Sequence, residues 1–386
     1  MSYTLAILGA TGSIGRSALE VVRHHPERLR VASLAAWGSD LDGLERQVIE
    51  FSPELVAVFD EEAASKLERR LRGRAACEVV AGAEGLERAA TLESVDRVLA
   101  AIVGAAGLPA VHAAVKAGKD VALANKESLV VAGPLLIDLA RRHGASILPV
   151  DSEHAALHQA LRCGTRPEVR RLVLTASGGP FRRRDLATFD AIEPEEALRH
   201  PTWQMGAKIS IDSATLMNKA LELIEAHFLF ELEPDAIDVV IHPQSLVHSL
   251  VEFRDGSWIA QLSINDMTIP IQYALAYPER WANRFERLEP SRLGSLEFEP
   301  VEARRFPALA LARRALALGA SAPAVLNAAN ELAVAAFLDR RIRFPAIAAT
   351  VEAVLDRHRA EAVEDLASAL AWDRWGREQA AEILAA

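Results

Sequence analysis

The sequence predicts an α/β protein: an N-terminal Rossmann-like parallel-sheet domain, a central α+β domain and a C-terminal helical domain. Three observations lead there. Short apolar runs alternate with helical stretches through the first third of the chain, which is the signature of a parallel sheet covered by helices. A glycine loop, Gly9-Ala10-Thr11-Gly12-Ser13-Ile14-Gly15, follows the first of those runs directly. From about residue 306 to the end, the chain is rich in Ala and Leu at helical spacing.

Taken in order, Tyr3–Leu8 is a buried strand, and a helix runs from about Ile14 to His25. Val31–Ala36 is the second strand, and Leu41–Glu50 is helical. Leu55–Phe59, Val79–Val80, Arg97–Ile102, Asp120–Leu123 and Ile147–Val150 are further strands. Arg171–Thr175 is a strand that enters the turn Ser177-Gly178-Gly179-Pro180. Asp212–Phe230 reads as one helix. Val239–Ile241, Ser249–Phe253 and Ser257–Leu262 read as strands of a second, more antiparallel sheet. Residues 278–305 lack periodicity and read as a linker.

The chain has 386 residues, too many for one core. Its net charge of −10 argues against a nucleic-acid binder, although an acidic protein can still carry a basic pocket for an anionic substrate. Two cysteines, Cys77 and Cys163, allow neither a disulfide framework nor a zinc ribbon and fit a reducing compartment. No stretch is apolar enough to cross a membrane, and the N-terminus already reads as a strand rather than a signal peptide, so a cytoplasmic location is expected. Lysine and asparagine occur six times each, yet Asn-Lys occurs twice, at Asn125-Lys126 and Asn218-Lys219. Random placement at that composition predicts roughly 0.1 such pairs.

Glycines in the first loop permit a tight turn and close approach of the backbone to a pyrophosphate, and the helix that follows offers unpaired N–H groups. The second strand ends Ala35-Ala36-Trp37-Gly38-Ser39, with no carboxylate for a ribose 2′-hydroxyl, which favours NADP over NAD. Asp40 follows, and no arginine comes at once. Asp151-Ser152-Glu153-His154 stands directly after a strand. Two carboxylates two apart on an extended segment can both reach a hard cation if the chain bends there. Asn218, Lys219 and Glu222 share one helical face, opposite Leu216, Ala220, Leu223 and Ile224. A third oxygen ligand can come from that face, or the face can simply meet water. The Ser177–Gly179 turn and Ser213 are candidate phosphate binders. His200-Pro201-Thr202-Trp203-Gln204-Met205-Gly206 fits a lid, or a loop whose Trp packs into the core.

Together these segments resemble one family. The glycine loop, Asn125-Lys126-Glu127-Ser128, Asp151-Ser152-Glu153-His154, Ser177-Gly178-Gly179-Pro180, His200–Gly206, Lys208–Thr215, Met217-Asn218-Lys219, Ile241-His242-Pro243-Gln244-Ser245 and Leu326–Glu331 stand in the order expected of the 1-deoxy-D-xylulose 5-phosphate reductoisomerase family. The resemblance implies an NADP-dependent oxidoreductase of the non-mevalonate isoprenoid route. It would rearrange and reduce 1-deoxy-D-xylulose 5-phosphate to 2-C-methyl-D-erythritol 4-phosphate with NADPH and Mg²⁺ or Mn²⁺, Co²⁺ being a further candidate. It also implies a homodimer, with an NADPH-binding domain at 1–150, a catalytic domain with lid and dimer sheet at 151–277, a linker at 278–305 and a helical domain at 306–386. No nucleic-acid or membrane partner is implied, and a bacterial source is expected.

Residue by residue, the resemblance assigns Asp151, Glu153 and Glu222 to the metal. Ser177, Ser213, Asn218 and Lys219 go to the substrate phosphate; Lys126, Ser152, Glu153 and His200 go to its sugar part. Thr11, Gly12, Ser13, Ile14, Gly38, Ser39, Asp40, Asn125, Glu127 and Gly206 line the coenzyme, and Trp203 covers the substrate. Lys126, Asp151, Glu153, Glu222 and His200 form the catalytic set. Departures from the family pattern are Ala155 and His158 after the acidic segment and Asp40 near the adenosine ribose. Other nicotinamide enzymes fit less well. Neither cysteine lies in a semialdehyde dehydrogenase motif, and none of Tyr3, Tyr273 and Tyr277 has a lysine four residues on. A silent NADP sensor would not need the acidic set.

Overall fold

The computed structural model describes residues 2–199, 206–319 and 321–385. The chain divides into two compact units, the first made of Met1–Ser128, Leu136–Ala155 and Asp266–Phe285, the second of Leu129–Leu135, Ala156–Asn265 and Glu286–Ala386.

The first unit is built on a seven-stranded parallel sheet. Its strands are β1 (Tyr3–Leu8), β2 (Leu29–Ala36), β3 (Leu55–Val58), β4 (Glu78–Ala81), β5 (Arg97–Ala100), β6 (Asp120–Leu123) and β7 (Ile147–Pro149), in the order β4-β3-β2-β1-β5-β6-β7. The inner strands are near-continuous runs of Leu, Ile, Val and Ala buried on both faces, as a helix-covered parallel sheet requires. Strand order reverses between β1 and β5, and ligands of such sheets gather beyond the strand C-termini at that reversal. Helix α1 (Ser13–His24) follows β1, and α2 (Leu41–Phe51) follows β2.

Segment 266–285 joins this unit, whereas the sequence divided it between the catalytic domain and the linker. Its helix Thr268–Ala276 puts Ile271, Ala274 and Leu275 into the core of the parallel sheet. Arg97, buried in β5, fastens it. The guanidinium donates to the carbonyls of Ala274 at 2.9 Å, Leu275 at 2.8 Å and Tyr277 at 3.2 Å, and pairs with Asp120 at 3.0 Å.

The second unit holds a five-stranded mixed sheet: β8 (Val169–Ala176), β9 (Ile237–Ile241), β10 (Val247–Phe253), β11 (Trp258–Leu262) and β12 (Glu299–Pro300), in the order β11-β10-β8-β9-β12. β8 and β9 run parallel, and the other pairs are antiparallel. β12 lies inside the stretch read as a linker. Helices Ala308–Leu318, Ala322–Leu338, Ala346–Arg357 and Leu366–Ala385 form the C-terminal part, as the Ala/Leu periodicity predicts.

The helix expected over Asp212–Phe230 is two helices, Ala207–Ala214 and Met217–Phe230. The chain breaks at Leu216, whose φ of 57° is left-handed. The Thr215 hydroxyl accepts the Met217 N–H at 3.2 Å, and this holds the break. Hydrophobic periodicity is blind to such a break because both pieces are apolar.

Candidate active site

In the first unit the glycine loop adopts the geometry the sequence requires of it. Gly9 has a φ of +90°, and a Cβ there would lie 2.5 Å from the Ala101 carbonyl oxygen beyond β5. A Cβ on Gly15 would lie 2.3 Å from the Gly9 carbonyl oxygen, so the first turn of α1 packs directly on the loop. Gly12 caps α1 without a side-chain bond, and the first turn carries no acidic residue. This is a backbone cradle with a positive helix end, formed by Gly12, Ser13 and Ile14 with Thr11 beside them, and it fits a pyrophosphate.

Gly38, with φ +118°, turns the chain after β2, and Ser39 is exposed. The Asp40 carboxylate accepts the Gly43 N–H at 2.8 Å and caps α2. Asn125 follows β6 and caps the helix Lys126–His143; its Oδ1 accepts the Ser128 N–H at 3.0 Å. Its amide nitrogen donates to the Ile102 and Gly104 carbonyls at 2.5 and 3.0 Å and to Glu127 at 3.2 Å. Asn125 thus holds the backbone beyond β5 while Glu127 stays buried beside it.

Lys126 is buried and ion-paired with Asp151. Asp151 follows β7, and Ser152 opens the helix Ser152–Ala160. The acidic segment is not extended as the sequence suggests: Glu153 lies in a first helical turn, where its Oε2 accepts the Ser152 hydroxyl at 2.7 Å. The His154 Nδ1 is 3.9 Å from Asp151. These residues place two carboxylates, a hydroxyl and an ammonium at strand C-termini of the dinucleotide sheet. Paired hard-oxygen donors suit a divalent cation such as Mg²⁺ better than zinc.

In the second unit, Gly178 and Gly179 both have positive φ. A Cβ on Gly179 would lie 2.8 Å from the Ser213 carbonyl oxygen, so the turn after β8 sits against the end of the helix Ala207–Ala214. The Gly179 N–H donates to the Ser177 hydroxyl at 3.2 Å. Beyond the break at Leu216, the helix Met217–Phe230 begins without a side-chain cap at its N-cap residue and with no acid in its first turn. Asn218 and Lys219 lie in that turn. The polar face they form with Glu222 is mostly withdrawn from water: Lys219 and Glu222 are buried and ion-paired, and the amide of half-buried Asn218 donates to Glu222 at 2.5 Å. Two serines, a helix start with no acid in its first turn and an ammonium lie on adjoining segments, and these are the donor types an anion site uses.

Each of the two Asn-Lys dipeptides therefore supplies a buried lysine–carboxylate pair. Gly206 caps the helix Ala207–Ala214. His200 and Trp203 lie outside the described residues.

Sequence reasoning missed the support of this site. Asp212, buried, pairs with Lys208 at 2.9 Å and accepts the Asn330 amide at 2.8 Å, linking the Lys208–Thr215 segment to the Leu326–Glu331 segment. His242 fixes its own loop: Nδ1 donates to the Glu297 carbonyl at 2.8 Å, and Nε2 accepts the N–H groups of Leu246 and Val247 at 3.2 Å. Partners this far apart in sequence leave no periodic signal.

Comparison with known proteins agrees with the geometry. The family described as 1-deoxy-D-xylulose 5-phosphate reductoisomerase matches residues 5–133, and two descriptions of its C-terminal domain match residues 147–230 and 262–379. The 1-deoxy-D-xylulose 5-phosphate reductoisomerase of Chlorobaculum tepidum is 51% identical over 381 residues, 99% of either chain. That of Geotalea uraniireducens is 50% identical over 380 residues, 98% of either chain. A solved DOX-P reductoisomerase in complex with NADPH, fosmidomycin and magnesium is 44% identical with a TM-score of 0.95, over 99% of this chain and 98% of that one. The Zymomonas mobilis enzyme in complex with NADPH is 44% identical with a TM-score of 0.93, over 100% and 99%. This chain belongs to the 1-deoxy-D-xylulose 5-phosphate reductoisomerase family.

Proposed function

We propose that this chain rearranges and reduces 1-deoxy-D-xylulose 5-phosphate to 2-C-methyl-D-erythritol 4-phosphate, using NADPH and a divalent cation, as a step of the non-mevalonate isoprenoid route. The observation that carries the reading is two buried lysines each paired with a carboxylate, Lys126 with partly buried Asp151 and Lys219 with buried Glu222, on segments that match this family. Buried charge of that kind needs a functional reason, because its desolvation offsets most of its attraction.

Asp151, Glu153 and Glu222 would hold the cation, which when bound polarises the substrate ketone and steadies alkoxide charge. Magnesium is present in solved DOX-P reductoisomerase structures, and we propose that Mn²⁺ or Co²⁺ also serves. Lys126 steadies negative charge on the substrate oxygen as the carbon skeleton rearranges, or delivers a proton there. Ser177, Ser213, Asn218 and Lys219 fix the phosphate and so orient the reacting carbons. Ser152, Glu153 and His200 contact the sugar part, and Trp203 excludes water above it; the latter role and His200 rest on the family resemblance. Thr11 to Ile14, Gly38 to Asp40, Asn125, Glu127 and Gly206 hold the coenzyme, which when bound supplies hydride to the rearranged aldehyde.

The protein is proposed to act as a homodimer in the bacterial cytoplasm. β11 is an edge strand with Trp258 exposed, and a bare edge of this kind calls for cover. Among the described residues no helix is long and apolar enough to cross a membrane. Fosmidomycin, present in the solved relative, is expected to inhibit this chain in a cation-dependent way. The deciding experiment follows NADPH oxidation on adding 1-deoxy-D-xylulose 5-phosphate, with Mg²⁺ and after chelation, and identifies the product. Oxidation indifferent to the cation, or a product with an unbranched skeleton, overturns the reading.

A further inference from the structure

NADPH differs from NADH by one phosphate, on the 2′ position of the adenosine ribose, which dinucleotide folds read just beyond the second strand. Here that segment is Trp37-Gly38-Ser39-Asp40, and it carries no cation of its own. Its surroundings are acidic. Asp40 lies within it, and a Cβ on Gly38 would come 3.4 Å from the Asp60 Cβ. Both carboxylates are engaged elsewhere: Asp40 caps α2 through the Gly43 N–H at 2.8 Å, and Asp60 caps the helix Glu61–Leu71 through the Ala63 N–H at 2.7 Å.

A cation reaches the segment from another element. Arg16 is the fourth residue of α1, immediately after the glycine loop, and its guanidinium stands 3.9 Å from Asp40 Oδ2. The two side chains are 61% and 44% exposed. An ion pair so long and so open adds little to stability. It does place the guanidinium beside Asp40 with its donors open to solvent.

We infer that Arg16 reads the 2′-phosphate of NADPH in this chain, with Asp40 holding the guanidinium in place until the phosphate displaces the carboxylate. The inference rests on the NADPH reading above. The planar fork of arginine meets two phosphate oxygens at once, and the exposed Ser39 hydroxyl adds a neutral donor. The positive charge for recognition thus comes from the end of the first-strand loop, one helical turn into α1, while the residues after β2 add only neutral donors.

The test is equilibrium binding of NADPH and of NADH to the full chain, without sugar phosphate or cation, at low and high salt. Wild type is expected to bind NADPH more tightly, with the gap narrowing as salt rises. Arg16→Ala is expected to raise the NADPH Kd about tenfold, to leave the NADH Kd within about twofold, and to flatten the salt dependence; Arg16→Lys is expected to fall between. A wild-type preference for NADPH that Arg16→Ala leaves unchanged overturns the role of Arg16 alone, as does equal weakening of both coenzymes. A wild type that binds NADH as tightly as NADPH overturns the coenzyme reading itself.

Discussion

Lys219 and Glu222, three residues apart on one helix, form an ion pair in which the side chains keep only 3% and 0% of their exposure. With the Asn218 amide on the same carboxylate, the first turn of that helix becomes a closed polar unit. Removing one partner of such a pair leaves a buried charge uncompensated. Lys219→Ala is therefore expected to destabilise the second unit by about 3 kcal/mol and to raise the KM for the sugar phosphate. Lys219→Arg should restore stability better than KM, because a longer fork displaces the anion. Thermal unfolding together with substrate kinetics separates the two effects, and an unchanged KM in both variants would move the phosphate elsewhere.

Glu222→Gln and Asp151→Asn are each expected to lower turnover at least roughly a hundredfold, because a carboxamide is a poor ligand for a hard cation. Asp151→Asn also weakens the ion pair with buried Lys126. NADPH binding, measured without substrate, should stay within about twofold in Glu222→Gln, since that residue belongs to the second unit and the glycine loop to the first. Near-normal cation-dependent turnover in either variant contradicts the ligand assignment.

Gly15→Ala is expected to abolish coenzyme binding and to destabilise the first unit, because the added methyl would stand 2.3 Å from the Gly9 carbonyl oxygen. Gly12→Ala makes the contrast. Its Cβ would lie 3.2 Å from the same oxygen and φ is ordinary, so the fold should survive while the cradle narrows. Calorimetric titration with NADPH beside a melting curve tests both. Wild-type affinity in Gly15→Ala would show that the turn does not approach the coenzyme.

The parts of this fold that the sequence displays are those with local cause. The strands from Tyr3 to Pro149 are visible because each is a short apolar run between turn residues, and the glycine loop because its spacing is itself the structure. Asp151 and Glu153 are visible as a pair, but the helix that starts at Ser152 is not, since nothing in Ser-Glu-His separates a bend from a first helical turn. The break at Leu216 is hidden because a left-handed leucine has no compositional mark. Arg97 on the Ala274, Leu275 and Tyr277 carbonyls and Asp212 with Asn330 are hidden for another reason: their partners lie more than a hundred residues away.

His158 supplies the pH prediction. An imidazole is half-buried here on the helix Ser152–Ala160. Burial, and then the charge of Arg162 one turn on, push its pKa from 6.5 down to about 4. The unfolded chain binds the proton first as pH falls, so the native state loses stability between about pH 6.5 and pH 4 and keeps it in full above that window. The loss from this one group should reach about 2 kcal/mol near pH 5. His158→Gln removes the titration, and His158→Phe does so while filling the same space with apolar atoms. Urea unfolding of the second unit at about pH 7.5 and about pH 5 should show a smaller drop in midpoint for both variants than for wild type. An equal drop in all three proteins would mean that the imidazole is solvated in both states.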